Sequence, residues 1–301
     1  MTKHQFFYRM LTAGIIIMLA LCVQSCHTKI PYSGPPDPVV VIQPSQPASG
    51  SQTGGSYTSE PVIAPSSVSV IHLVMVADTN DRKIGTSTVI DSMYMQELFR
   101  AVAGQSKGKL FLNKTVLEGY AISRQNMLRA IDELMVRAND IVVFSYSGHG
   151  HRYTSTASRW PLMDTYVEAT DFLTVIEKIR SKNPRQFIVL ADCCNNVIDT
   201  GYYLKAVEPS RGSFLYETIE RMFLNSRVKI AASGSIPGQF SAGDSRDGGY
   251  FTYSFVSNLT KALSSSAGDW GPVFENTKRD VVQKTANQPP EYRQEPQYQF
   301  F

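Results

Sequence analysis

Two short stretches hold the side chains best suited to chemistry. "YSGHG" (146–150) sets His149 between two glycines, directly after the apolar run Ile141–Phe144. "ADCC" (191–194) sets Asp192, Cys193 and Cys194 directly after "FIVL". A thiol and an imidazole brought to one place can carry out acyl chemistry. The thiolate attacks a carbonyl carbon, and the imidazole serves as base or charged partner and then protonates the departing amine. Glycines beside the histidine let backbone amides approach the carbonyl oxygen as it gains charge. Taken singly, each stretch has an ordinary reading. Free cysteine is among the most buried residue types, and Gly-His-Gly is a common turn. The pairing of the two, each at the exit of an apolar run, points to a site.

The elements around them must bring those exits together. "VSVIHLVMVAD" (68–78), "DIVVF" (140–144) and "RQFIVLAD" (185–192) are nearly continuous β-branched and apolar runs, as expected of strands buried on both faces of a parallel sheet. "KLFLNKTVLEG" (109–119) reads as a weaker strand and "RVKIAASGS" (227–235) as another. Helices are expected between them: "TVIDSMYMQELFRAVAG", "DFLTVIEKIRSK", "FLYETIERMFLNS" and "YFTYSFVSNLTKALSS". A further helix begins at the capping Ser123, with Met127, Ile131, Leu134 and Met135 on one face. Beyond about 268 the chain is rich in Pro, Gln and Tyr and is expected to form a strand and an irregular tail. Strands alternating with helices predict an α/β domain, three layers deep, with a mostly parallel central sheet. In such sheets functional groups gather beyond the C-terminal ends of the strands, where His149 and Cys194 both fall. No Gly-rich phosphate loop follows the first strand, which argues against a doubly wound nucleotide-binding protein.

The chain has 301 residues, 43% apolar and 18% charged, with a net charge of +3. That length and composition support one large domain, and the small, unclustered positive charge argues against nucleic-acid binding. Lys3 and Arg9 precede the apolar "LTAGIIIMLALCV", and "VQSC" ends at Cys26. This start resembles a bacterial lipoprotein signal, which implies a signal peptide over 1–25, lipidation at Cys26 and attachment to a membrane of the cell envelope. An ordinary secretory signal and an uncleaved anchor are the alternatives. Residues 26–66, dominated by Pro, Ser and Gly, read as a linker, and 67–301 as the folded domain. Of the four cysteines, only Cys193 and Cys194 would remain as thiols, and neighbours in sequence rarely bridge. Two adjacent cysteines and scattered histidines lack metal-ligand spacing, so neither a metal nor another cofactor is expected.

"DIVVFSYSGHGHR" followed after about 40 residues by "FIVLADCCNN" resembles the caspase-like cysteine peptidases, and metacaspases in particular. "SIPGQFSAGD" and "GGYFTYSF" resemble that superfamily's specificity loop and the helix after it, so the likeness runs from about Val68 to Gln297. It implies a three-layer α/β/α caspase-like fold, His149 as catalytic histidine, Cys194 as nucleophile, and the N–H groups of Gly150 and Cys194 as oxyanion hole. His151 is the alternative histidine and Cys193 the alternative thiol. The likeness also implies that Asp192 lines a primary pocket for Arg or Lys, with Asp244 as a second acid. Arg246 keeps open the opposite preference, for aspartate, as in caspases proper. The substrate would be a peptide or protein, cut through a thioacyl-enzyme intermediate, and the chain itself would be cut after Lys205 or Arg211. Two features depart from metacaspases. Asn195-Asn196-Val197 replaces their usual His-Ser-Gly, and 151–166 contains a single acid where many carry an acid-rich loop, so calcium dependence is not expected. The first departure supports an alternative function, an inactive caspase-like lipoprotein that binds a peptide or partner.

Overall fold

A computed structural model describes residues 67–197 and 212–301. Cys26, the signal and linker segments, Lys205 and Arg211 lie outside the described residues. The chain runs through β1 (Ser69–Ala77), α1 (Gly85–Gly104), β2 (Leu110–Glu118), α2 (Arg124–Asp132) and β3 (Ile141–Ser147). Three two-residue strands follow, β4 (Gly150–His151), β5 (Leu162–Met163) and β6 (Thr170–Asp171), and then α3 (Phe172–Ser181) and β7 (Gln186–Asp192). Next come α4 (Tyr216–Ile219, continued as a π turn over Glu220–Leu224) and β8 (Lys229–Ser233). The hairpin strands β9 (Gly243–Asp244) and β10 (Gly248–Gly249), α5 (Tyr250–Leu263), α6 (Trp270–Thr285) and β11 (Gln297–Phe300) complete it.

The main sheet has the order β11-β8-β7-β3-β1-β2. Every neighbouring pair is parallel except β11, which runs antiparallel to β8. All residues of β1, β3 and β7 are buried, as their unbroken apolar runs require. Alternate side chains feed opposite cores. Leu73, Met75, Val143, Ile188 and Leu190 face a core completed by α1, α4, α5 and α6. Val74, Val76, Phe144, Tyr146, Val189 and Ala191 face a core completed by α2 and α3. These are the three layers expected from the sequence.

Two local expectations fail. The tail after 268 contains the helix α6, capped by the Asp269 side chain, which accepts from Trp270 N. Gly271 and Pro272 read as breakers, but proline costs little in a helix's first turn, where its missing N–H has no partner to lose. Trp270, Val273 and Phe274 then bury in the core. The helix begun at Ser123 ends at Asp132, so Met135 falls beyond it and is 67% exposed.

Register sets the site. Ala77 of β1 lies opposite Ser147 of β3, and Ser147 lies opposite Asp192 of β7. Three adjacent strands therefore end at one level. The chain leaves them as Asp78–Asp81, Gly148–His149 and Cys193–Cys194, side by side along one sheet edge.

Candidate active site

Strand alternation separates the two thiols. Cys193 continues the row of Val189 and Ala191 and lies in the α2/α3 core, where burial pushes its thiol well above the usual range. Asp192 and Cys194 line a cleft on the opposite side together with Asp91, Ser147, His149 and Ser241. Cys194 is 7% exposed. Its sulfur accepts from Ser241 N at 3.4 Å, and the thiol donates to Ser241 O at 3.7 Å. His149 is steadied from below, since the buried Tyr146 hydroxyl donates to His149 O at 2.6 Å. His149 Nε2 lies 3.4 Å from Asp81 Oδ2. His151 lies outside the cleft lining and pairs through Nδ1 with Asp164 Oδ1 at 2.6 Å.

Two buried carboxylates stand beside the thiol. Asp192 accepts from Ser241 Oγ at 2.6 Å on one oxygen, and from Thr252 N at 2.9 Å and Thr252 Oγ1 at 2.8 Å on the other. Asp91, fully buried, accepts from Ser147 Oγ at 2.5 Å and from Gly249 N at 2.8 Å. Gly249 lies between the two, and a Cβ there would collide with Asp192 Oδ2 and crowd Asp91 Oδ2. Loss of hydration raises the pKa of both carboxyls, and their mutual repulsion pushes Asp91 well up. Asp91 is missing from the residues picked out by sequence. Its signal is there in retrospect: it is the acid on the buried stripe of α1, one turn after Thr88 and one before Met95.

A thiol, a histidine and a carboxylate pair now stand at the exits of parallel strands, in the chain order Asp91, His149, Asp192, Cys194. The caspase domain family matches residues 76–301. The chain belongs to this family. No curated protein sequence matches the chain significantly. Membership gives the domain a cysteine-peptidase-like fold.

Within the caspase domain, the first residue of the "NNV" that departs from metacaspases is tied into the structure. Asn195 is fully buried; its amide donates to Arg159 O at 2.9 Å and Ser235 O at 3.3 Å, and its Oδ1 accepts from Arg152 at 3.2 Å. Its backbone N donates to Gln239 O, and its O accepts from Gly238 N. One side chain thus ties the exit of β7 to the loops on either side.

The remaining sequence candidates fall as follows. Gly150 is buried against the cysteine pair: a Cβ there would lie 2.7 Å from Cys193 Sγ and 2.8 Å from Cys194 O. Asp244 is absent from the cleft lining. Its Oδ1 accepts from Arg246 N and Asp247 N, both at 2.8 Å, and closes the turn between β9 and β10. Its charge still reaches Asp91, whose pKa it helps raise. Arg246 points toward Asp247 at 3.7 Å and is likewise absent from the lining. The loop between β8 and β9 is held by a residue with no local sequence signal. Gln294, 1% exposed, donates to Gly234 O at 2.8 Å and Ser241 Oγ at 2.9 Å and accepts from Ala242 N at 2.9 Å.

Proposed function

We propose that the domain is a cysteine endopeptidase that cuts after Arg or Lys. The observation that carries this reading is the pair of buried carboxylates, Asp91 and Asp192, in the cleft that also contains Cys194. Two acids without a cation make a poor interior and a good receptor for one. A guanidinium or ammonium entering the cleft relieves their repulsion, whereas an aspartate side chain would add to it.

The chemistry follows from the neighbours. Cys194 Sγ gives up its proton to His149 and attacks the carbonyl carbon on the C-terminal side of the basic residue. The carbonyl oxygen gains charge facing the N–H groups of Gly150 and Cys194. Such donors are typically worth about 3 kcal/mol each to the barrier. The C–N bond breaks, His149 passes its proton to the leaving amine, and a thioacyl-enzyme remains. Water then attacks the thioester, its proton passing to His149, and the thiol is restored as the acid leaves. The lipobox-like start at Cys26 supports a domain tethered to a membrane of the bacterial cell envelope. The basic residues between β7 and α4 support self-cleavage after Lys205 or Arg211, which intact-mass measurement of freshly made chain would reveal.

The test uses fluorogenic peptides ending in Arg, Lys or Asp before the reporter. Cleavage after Arg and Lys is expected, with Cys194→Ala and His149→Ala inactive and Cys193→Ala active. A wild-type chain that cuts none of them would instead favour a peptide- or partner-binding module. Full activity in Cys194→Ala would refute the assignment of the nucleophile.

A further inference from the structure

Sheet order gives the histidine a neighbour on each side. His149 leaves β3, which lies between β7, carrying Cys194, and β1, whose exit loop carries Asp81. That loop is folded around the Asp81 side chain. Oδ1 accepts from Lys83 N at 2.6 Å and from Ile84 N at 2.9 Å. Two N–H groups on one oxygen fix the carboxylate plane, and the other oxygen, Oδ2, lies 3.4 Å from His149 Nε2. Both side chains are mostly buried, at 28% and 18% exposure.

The other carboxylates nearby are engaged differently. Asp164 pairs with His151 at 2.6 Å. Asp78 Oδ1 accepts from Tyr166 Oη at 2.9 Å. The backbone hydrogen bonds and the facing imidazole hold the carboxyl of Asp81 below its ordinary value despite partial burial, whereas burial pushes Asp78 up. Asp81 is anchored as an anion by two backbone N–H groups and reaches the histidine through its other oxygen.

We infer that Asp81 is a positioning residue for His149: it accepts the Nε2 proton, fixes the Nε2–H tautomer and leaves Nδ1 as the basic nitrogen for the Cys194 thiol. The site then works as a Cys–His pair oriented by a carboxylate. An imidazole has one bare nitrogen when neutral, and the acceptor placed on one side decides which one it is. A separation of 3.4 Å is compatible with this role, because catalytic hydrogen bonds often tighten only in the complex with substrate.

Asp81→Asn separates this role from a structural one. Its amide oxygen can still accept from Lys83 N and Ile84 N, so the loop keeps its fold. Its NH₂ group faces His149 and cannot accept a proton. Kinetics on an Arg-peptide substrate are expected to show kcat reduced about tenfold or more with KM within about twofold. Nitrogen-15 spectra of histidine-labelled full chain, with His149 assigned by its loss in His149→Gln, are expected to show the Nε2–H form in wild type and its loss in Asp81→Asn. Asp81→Ala, which also removes the loop's acceptors, should match or exceed the kcat defect. The kinetic arm rests on the peptidase reading; the spectra do not. If wild type proves inactive on every peptide, the peptidase reading falls and the tautomer alone decides the role of Asp81. A kcat within about twofold of wild type, or a His149 tautomer unchanged by Asp81→Asn, overturns the inference.

Discussion

Asp91 shows how a residue proposed to hold substrate can work against the fold that carries it. Its carboxylate is buried beside that of Asp192, and burial and repulsion raise its pKa. A group with a folded pKa above its unfolded value stabilises the fold less and less as pH rises from about 4, the ordinary carboxylate value, through the folded pKa. Asp91→Asn keeps an acceptor for Gly249 N and a partner for Ser147 Oγ but removes the charge. It is expected to raise the melting temperature at pH 7, with the gain shrinking toward pH 4. The same change should raise KM for Arg substrates at least about tenfold, since half of the proposed pocket charge is gone. A thermal melt series in pH, run beside steady-state kinetics, checks both halves. A variant that is less stable at pH 7 and unchanged in KM would show that Asp91 serves the fold and not the substrate.

The strands, their order of appearance and their shared exit were legible in the sequence because a doubly covered parallel strand needs an unbroken apolar run. β1, β3 and β7 have one each. His149, Cys194 and Asp192 were legible for the same reason, since each stands where such a run stops. What escaped is masked by its local sequence. α6 hides behind Gly271 and Pro272, and Asp91 looks like a surface acid until the buried face of α1 is known. Gln294 acts across 53 residues of chain on Ser241. The chain of hydrogen bonds from Gln294 to Ser241 and on to Asp192 makes the segment before β11 a brace for the loop between β8 and β9. Gln294→Ala leaves Gly234 O and Ala242 N without their partner, a loss of about 1–3 kcal/mol for each buried group so exposed. The expected result is a lower melting temperature and a raised KM, with limited proteolysis newly cutting within 234–242. Protection of that loop equal to wild type would remove the brace from the account.

At the scale of the whole molecule, the two ends of the sheet carry opposite electrostatics. The edge with the strand exits gathers Asp78, Asp81, Asp91 and Asp192 around the cleft. At the strand entrances, Asp140 just before β3 is fully buried and well served. It accepts from Val70 N at 2.8 Å, Arg137 N at 2.8 Å and the Arg137 guanidinium at 2.9 Å, and lies 3.3 Å from His72 Nε2. These donors hold its pKa far below the ordinary value. A depressed folded pKa contributes stability that is present above about pH 4 and lost as pH falls through the folded value. Asp140→Asn is therefore expected to cost about 3 kcal/mol at pH 7, with the difference from wild type closing at acid pH. Denaturant unfolding at pH 7 and at pH 2 or below measures it, and an equal loss at both would contradict the linkage. The molecule is thus pinned at its base by a carboxylate held by a guanidinium and strained at its mouth by two hydrogen-bonded carboxyls that face each other.

The proposed chemistry lies in the mouth, where Cys194 would cut peptides after a cation held by Asp91 and Asp192. The most direct measurement is digestion of a diverse peptide library by the full chain, with the new termini read by mass spectrometry and Cys194→Ala as the parallel sample. The account predicts new C-termini ending overwhelmingly in Arg or Lys, all absent from the Cys194→Ala digest. New termini ending in Asp, or the same termini in both digests, would contradict it.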